Sequence, residues 1–203
     1  MDINGDGVTD LRQIGSQAAA KNCITVGASE SYRPDLTLEY GYKGFRTDSG
    51  TLKFGANPIK FDPMANNPGG MAAFSSRGPT SESRVKPDVV APGTGILSAR
   101  SSEAFDSGIF GESDDPKWMY DAGTSMATPL VSGCAAVIRQ ALEHNHLKNV
   151  RQALELNPPK NAGARYQPSA ALVKAVLING AVDLAGQYHP SEAGRFPQRN
   201  TSL

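Results

Sequence analysis

The sequence predicts an α/β fold built around a largely parallel sheet. Short apolar runs rich in β-branched residues alternate along the chain with two longer apolar stretches of helical character. Frequent Gly (21) and Pro (14) bound these runs and indicate tight turns between the elements. Strands that alternate with helices usually form layered domains, because crossover helices cover both faces of a parallel sheet.

Four short segments have the composition of strands. Residues 22–28 (Asn-Cys-Ile-Thr-Val-Gly-Ala) form an apolar, β-branched run that ends in Gly. Residues 86–93 are bracketed by prolines, and residues 95–99 follow them directly. Residues 118–122 precede a Gly-Thr-Ser turn. We therefore predict strands at these four places.

Two helices are predicted in the second half of the chain. The first runs from Ser125 to about Leu142, and its nearly continuous apolar positions predict burial almost all round. The second starts at Pro168-Ser169, with proline in the N-terminal position that a helix tolerates, and stops at Asn179-Gly180.

Residues from about 30 to 70 differ from the rest. They mix aromatic residues with Pro and Gly and show no sustained period. We predict an inserted surface loop region here, holding one short hairpin.

Composition excludes several classes of function. Acidic and basic residues balance at 20 each, which argues against a nucleic-acid partner or a polybasic membrane anchor. No apolar run approaches the ~18 residues of a transmembrane helix. Residues 1–7 lack signal-peptide features, which favours an intracellular protein or a longer parent chain. The two cysteines, Cys23 and Cys134, are expected to be buried small hydrophobes, with a disulfide left open.

The segment Gly123-Thr124-Ser125-Met126-Ala127-Thr128-Pro129 carries the predicted chemistry. It places a hydroxyl where a strand turns into a helix, at the end where backbone N–H groups lack internal partners and the helix dipole is positive. An oxyanion formed by attack on a carbonyl would be stabilised there, with the Ser125 N–H as one donor. The alternative is that Thr124 or Ser125 is only a helix N-cap.

The same segment resembles the serine motif of the subtilases, Gly-Thr-Ser-Met-Ala-x-Pro. Other blocks agree in family order and extend the resemblance over nearly the whole chain; they are residues 22–28, 74–79 and 86–93. The resemblance implies a three-layer, parallel-sheet subtilisin-like fold of which this chain is the C-terminal portion, with residues 1–203 forming part of a catalytic domain. It also implies a secreted serine endopeptidase that acts on protein or peptide substrates.

By the same resemblance, Ser125 is the catalytic nucleophile and Thr124 and Gly123 support the oxyanion site. In the family, the catalytic Asp and His precede the serine, as does an oxyanion Asn in an Ala-Ala-Gly-Asn block. Here the three histidines, His144, His146 and His189, all follow Ser125 in unrelated contexts. Asp48-Ser49-Gly50 looks like the family's aspartate motif but stands in the wrong order and within the inserted region.

Two hypotheses about function follow. In the first, the chain is part of a serine endopeptidase and needs the N-terminal half of the catalytic domain for activity. In the second, it is a truncated, inactive relative that serves at most as a binding or calcium module. No cofactor is expected for the chemistry.

Calcium is considered because of the N-terminal segment Asp2-x-Asn4-x-Asp6-Gly7-x-x-Asp10. Its spacing is that of a calcium loop, but Gln13 stands where a bidentate carboxylate is needed. A solvated turn is the favoured interpretation, and structural calcium stays the alternative.

Overall fold

The structure is a computed structural model that describes residues 6–7, 9–42, 45–46, 49–105, 108–154 and 167–184, and the side chains of all of these except 145–154. The described part of the chain divides into two compact units, one up to Leu130 and one within Val131–Val182.

A parallel pair of strands lies in the first unit. Strand β1 (Val26–Ser29) pairs with β2 (Val89–Pro92), with Val26 opposite Val89. The regular strand begins later than predicted, but backbone hydrogen bonding starts before it, since the Asp88 N–H donates to the Thr25 carbonyl at 2.9 Å. The Asp88 carboxylate also accepts the Thr25 N–H at 2.8 Å. The predicted α/β class is confirmed.

A second sheet in this unit is antiparallel. It has the order β3 (Ile96–Ala99), β5 (Trp118–Asp121), β4 (Gly111–Glu112). The predicted strands at 95–99 and 118–122 are confirmed as β3 and β5, whereas β4 was not predicted. Among the described strands, parallel pairing is therefore confined to β1 and β2.

Helix α1 (Thr124–Leu154) is longer than predicted, whereas α2 (Ala170–Asn179) ends where predicted but begins after the predicted Pro168-Ser169 start. In α2 the Ser169 hydroxyl caps the helix by accepting the Leu172 N–H, so Pro168 precedes the N-cap rather than occupying the first helical position.

The prediction that α1 is buried almost all round is wrong. Of its described side chains, Ala127 and Val131 alone are buried, and they are one turn apart on the same face. Leu130 and Val137 are 44% and 65% exposed. Cys134 is exposed too, which overturns its predicted burial, whereas Cys23 is half-buried; both are free thiols.

Some of the aromatic residues of the predicted inserted region pack into a buried cluster, whereas Tyr32, Tyr42 and Phe61 are exposed. Its core consists of Tyr40, Phe54, Ile59, Met64 and Ala73. The rings of Tyr40 and Phe54 meet edge to face, with their centroids 5.5 Å apart. A short 3₁₀ helix (Ile59–Phe61) supplies part of the cluster. The insertion itself stays a prediction, but these residues form a small core rather than a bare surface loop.

Candidate active site

Ser125 lies in the first turn of α1, directly after the turn that follows β5. Its side chain is exposed. The predicted position, at the N-terminus of the helix with an accessible hydroxyl, is confirmed. The N-cap alternative is wrong, because α1 begins at Thr124 and both candidate residues lie inside the helix.

Gly93 ties the serine turn to the ends of the parallel strands. Its N–H donates to the Ser29 carbonyl at 2.9 Å, and its own carbonyl accepts the Gly123 N–H at 2.7 Å. A Cβ at Gly93 would lie 2.6 Å from the Ala28 Cβ, so only glycine allows this approach. Ser125 therefore follows a turn fixed at the carboxyl ends of β1 and β2, where α/β sheets usually hold their ligands.

The first turn of α1 leaves a hydrogen-bond donor beside the hydroxyl. The N–H groups of Met126 and Ala127 donate to the Gly123 carbonyl at 3.1 and 3.4 Å. The Ser125 N–H has no acceptor among the residues that the structure describes. Because the helix dipole adds positive potential here, this N–H can stabilise an anion formed next to Ser125.

Pro129 fits this helix without a break. Proline has no N–H to offer the carbonyl one turn earlier, that of Ser125, so the first turn is bonded less regularly than an ordinary one. The Thr128 hydroxyl donates to the Thr124 carbonyl at 2.8 Å and adds a side-chain bond to this turn.

Within the described part of the chain, no histidine or aspartate side chain hydrogen-bonds to the Ser125 hydroxyl. His144 is an exposed residue of α1, and helix geometry places it roughly 28 Å along the axis from Ser125. His146 and His189 lie outside the described side chains. Asp121 is close in sequence, but its carboxylate accepts the N–H groups of Ala122 and Ile109 at 2.8 and 3.2 Å.

The hydrogen bonds by which Asp121 and Gly93 hold the backbone around the serine turn are features that sequence reasoning missed. Asp121 was included only as part of a strand, and Gly93 only as part of a strand-ending block. The Ala91-Pro92-Gly93 sequence indicates that a strand ends at Gly93. It does not indicate the contact between Gly93 and Gly123, because that contact joins residues far apart in the chain and has no local pattern.

A small cavity of about 130 Å³ has Thr124 in its wall. Its other lining residues come from several segments, among them Val26 and Gly27 of β1. Ligand pockets usually measure some 300–1,000 Å³, so this cavity is smaller than an ordinary ligand pocket.

Of the proposed calcium segment, Asp2 and Asn4 lie outside the described residues, which include Asp6, Gly7, Asp10 and Gln13. No group of three or more potential metal-ligating side chains occurs among the residues described. Gly7 has a left-handed φ of 86°, and a Cβ there would lie 2.0 Å from the Asn57 carbonyl oxygen. Packing therefore explains this glycine without calcium, and calcium stays the untested alternative to a solvated turn.

The helices described in the structure include none that is both long and apolar enough to cross a membrane.

Comparison with known proteins identifies the class of protein. The family model of the subtilase family matches residues 4–195, nearly the whole chain. The chain belongs to the subtilase family of serine peptidases, and its α/β architecture is a subtilisin-like one.

Several curated relatives are similar to this chain. The serine protease/ABC transporter B family protein tagD of Dictyostelium discoideum is 31% identical over 90% of the chain, which covers 12% of that protein. Serine protease AprX of Bacillus subtilis (strain 168) is 44% identical over 34% of the chain and 16% of AprX. Subtilisin-like protease SBT1.7 of Arabidopsis thaliana is 40% identical over 41% of the chain and 11% of that protein. The chain thus spans a small part of the length of these relatives.

Proposed function

We propose that Ser125 is the nucleophile of a serine endopeptidase that cleaves protein or peptide substrates through an acyl-enzyme. The observation that carries this proposal is the exposed Ser125 hydroxyl, with an unused backbone N–H on the same residue, in the first turn of α1. Membership of a serine peptidase family supports the same role.

The proposed reaction begins with attack of the Ser125 Oγ on a peptide carbonyl carbon, while a histidine base takes the hydroxyl proton. The carbonyl oxygen becomes an oxyanion, and the Ser125 N–H donates to it. The leaving amine then takes the proton from histidine, and water releases the acyl group by the same route in reverse. Gly123 leaves room for the substrate backbone, and Thr124 holds the turn.

This reaction needs partners beyond Ser125. The base, its orienting acid and the second oxyanion donor are the family residues that the sequence analysis did not find in this chain. We propose that they come from an N-terminal part of the catalytic domain, and that the 203 residues alone have little activity. An inactive relative with a binding role is the second candidate. An extracellular location belongs to the first proposal and rests on family resemblance.

Covalent labelling tests this proposal. The chain is incubated with a fluorophosphonate probe alone, and again after mixing with a separately produced N-terminal part of a subtilase catalytic domain that carries the Asp, His and Asn. We expect labelling of Ser125, located by peptide mass spectrometry, only in the mixture. Ser125→Ala should abolish it. Ser132→Ala, an exposed serine of the same helix, is the matched control and should leave it unchanged.

Two outcomes would contradict the proposal. One is labelling at a different serine. The other is a folded mixture, shown by co-elution in gel filtration, in which Ser125 stays unlabelled; this would favour the inactive relative.

A further inference from the structure

The predicted inserted region contacts the strand that leads to Ser125 through an arginine. The Arg33 guanidinium carbon lies 4.8 Å from the centroid of the Tyr120 ring, within cation–π range. The stem of Arg33 also packs on the backbone that enters β3, since a Cβ at Gly95 would lie 3.5 Å from the Arg33 Cγ. Arg33 therefore lies against the ring of Tyr120 in β5 and beside Gly95, the residue before β3.

Arg33 is held in place on its other side. Its N–H donates to the Ala65 carbonyl at 2.7 Å, near the far end of the inserted region. Its guanidinium pairs with the Asp35 carboxylate at 3.2 Å. The side chain is half-buried, so its charge over the ring is only partly screened by solvent.

Tyr120 links its contact with Arg33 to both neighbouring strands of the antiparallel sheet. It is the central strand's residue opposite both Leu97 in β3 and Gly111 in β4. Its carbonyl accepts the Phe110 N–H at 3.1 Å. The next residue, Asp121, ends β5 and accepts the Ala122 N–H at 2.8 Å, which leads directly into the Gly123 turn.

Two further contacts join the predicted inserted region and its aromatic cluster to residues next to the serine turn. The Ser31 N–H donates to the hydroxyl of the fully buried Thr94 at 2.9 Å, next to Gly93, which holds Gly123. Ile109 packs against the aromatic cluster and donates its N–H to Asp121. Three contacts thus join the inserted region and its aromatic cluster to residues that adjoin the serine turn, and the one made by Arg33 depends on a side-chain charge.

From these contacts we propose that Arg33 is a positioning residue: by holding the Tyr120 ring, it fixes the end of β5 and, with it, the turn that presents Ser125. The expected effect of Arg33 on turnover rests on the proposed function above. Its effect on the position of the turn can be measured without any activity.

Hydrogen exchange at the serine turn tests this inference. In Arg33→Met, which keeps the stem and removes the charge, we expect the Gly123 amide to exchange about two- to fivefold faster than in the unmodified protein. Arg33→Lys keeps a cation within reach of the ring and should restore most of the protection. Tyr120→Leu should have the same effect as Arg33→Met, and the double variant should add little to either.

Lys60→Met is the matched control. Lys60 also belongs to the inserted region, and its ammonium lies 4.9 Å from the centroid of an aromatic ring, that of Phe61. It should leave exchange at Gly123 unchanged. If Arg33→Met alters nothing there, or if Lys60→Met accelerates exchange as much, the inference is overturned.

Probe labelling separates this inference from the proposed function. In the reconstituted mixture, Arg33→Met should slow the labelling of Ser125 by a similar factor, and Arg33→Lys should rescue it. Ser125→Ala should abolish labelling and leave exchange at Gly123 unchanged. If Ser125 is never labelled, the proposed function fails, and the exchange measurements still decide the role of Arg33.

Discussion

The Gly123 N–H donates a 2.7 Å hydrogen bond to the carbonyl of Gly93. This bond joins the start of the serine turn to the residue that follows β2, and Gly93 in turn is bonded to the last residue of β1. The position of Ser125 is thus set by backbone contacts at the strand ends as well as by its own helix. These contacts leave no room for a side chain at Gly93.

Gly93→Ala should therefore displace the serine turn. The added Cβ would lie 2.6 Å from the Ala28 Cβ and 2.9 Å from the Gly123 carbonyl oxygen, so the backbones must separate. We expect a loss of about 1–3 kcal/mol in the free energy of unfolding, measured by urea titration. Gly133→Ala is the control, because its Cβ would enter open space within a helix, and it should stabilise by about 0.5–1 kcal/mol. Equal effects at the two glycines would contradict this explanation.

Tyr40→Phe should test the polar centre of the aromatic cluster. The buried Tyr40 hydroxyl donates to the Glu30 carboxylate at 2.7 Å and accepts the Ala73 N–H at 3.1 Å. Removing the oxygen leaves both partners without this bond in a buried place, which should cost about 1–3 kcal/mol. Tyr42→Phe, at an exposed tyrosine, should be within about 0.5 kcal/mol of the unmodified protein. A neutral Tyr40→Phe would show that water replaces the hydroxyl.

The stability of the first unit should fall as the pH rises. Burial raises the pKa of Glu30 from 4.5 to about 8, and the nearby negative charge of Asp62 adds to this. Burial also raises the pKa of Asp62 to about 7. A carboxyl group whose pKa is higher in the folded state favours folding when protonated. Its contribution is fully present below the unfolded pKa and is lost as the pH rises through the folded one.

Glu30→Gln isolates this effect, because an amide does not titrate. We expect the unfolding free energy of the unmodified protein to fall between pH 5 and 8.5 by at most on the order of 4 kcal/mol from Glu30. In Glu30→Gln the slope should be clearly shallower, with the remainder assigned to Asp62. The slope is the measurement, since the amide also changes the hydrogen bonds to Tyr40 and to the Asn67 N–H. Parallel slopes in the two proteins would argue against a neutral Glu30.

Local patterns were sufficient to predict part of this structure. The bounds of α2 follow from Ser169 and Gly180, which act on adjacent backbone groups. The start of α1 was predicted because the Gly-Thr-Ser turn and the helix that follows are contiguous. The position of Ser125 at the helix start was predictable for the same reason, since the serine motif is carried by neighbouring residues.

Long-range contacts were not predictable in this way. Strand β4 has two residues, Gly111 and Glu112, and shows no apolar alternation, so only its pairing with β5 defines it. The aromatic cluster joins residues far apart in sequence and has no period. The exposure of Val137 was missed because apolar composition reports what a helix is able to bury, whereas burial depends on which elements pack against it.

Lys86→Met should lower the free energy of unfolding because it breaks a buried ion pair. The Lys86 ammonium pairs with the Asp88 carboxylate at 2.7 Å, and the two side chains are only 3% and 10% exposed. Removing the cation leaves a carboxylate charge buried without it, which should cost about 3–5 kcal/mol by urea titration. In the double variant Lys86→Met/Asp88→Asn the loss should be smaller. Arg139→Met breaks the exposed pair with Glu143 and should cost no more than about 0.5 kcal/mol. A loss of no more than about 0.5 kcal/mol in Lys86→Met would mean that water solvates the Lys86–Asp88 pair.

Ala127→Val should show how tightly the start of α1 is seated. Ala127 packs with Ala28 of β1 and Ala72, and all three are fully buried, so small side chains bring the helix close to the strand. Two added methyl groups have no space there and should cost about 1–3 kcal/mol. Because Ala127 and Ser125 share one helical turn, the overpacked variant should also lose protection of the Gly123 amide from exchange.

Val137→Thr is the matched change on an exposed part of the same helix. It keeps the β-branched shape, and at a side chain that is 65% exposed it should alter the unfolding free energy by less than about 0.5 kcal/mol. It should leave exchange at Gly123 as it is. If Ala127→Val were equally neutral, the three alanines would not be in close contact, and the strand would not determine where the serine turn lies.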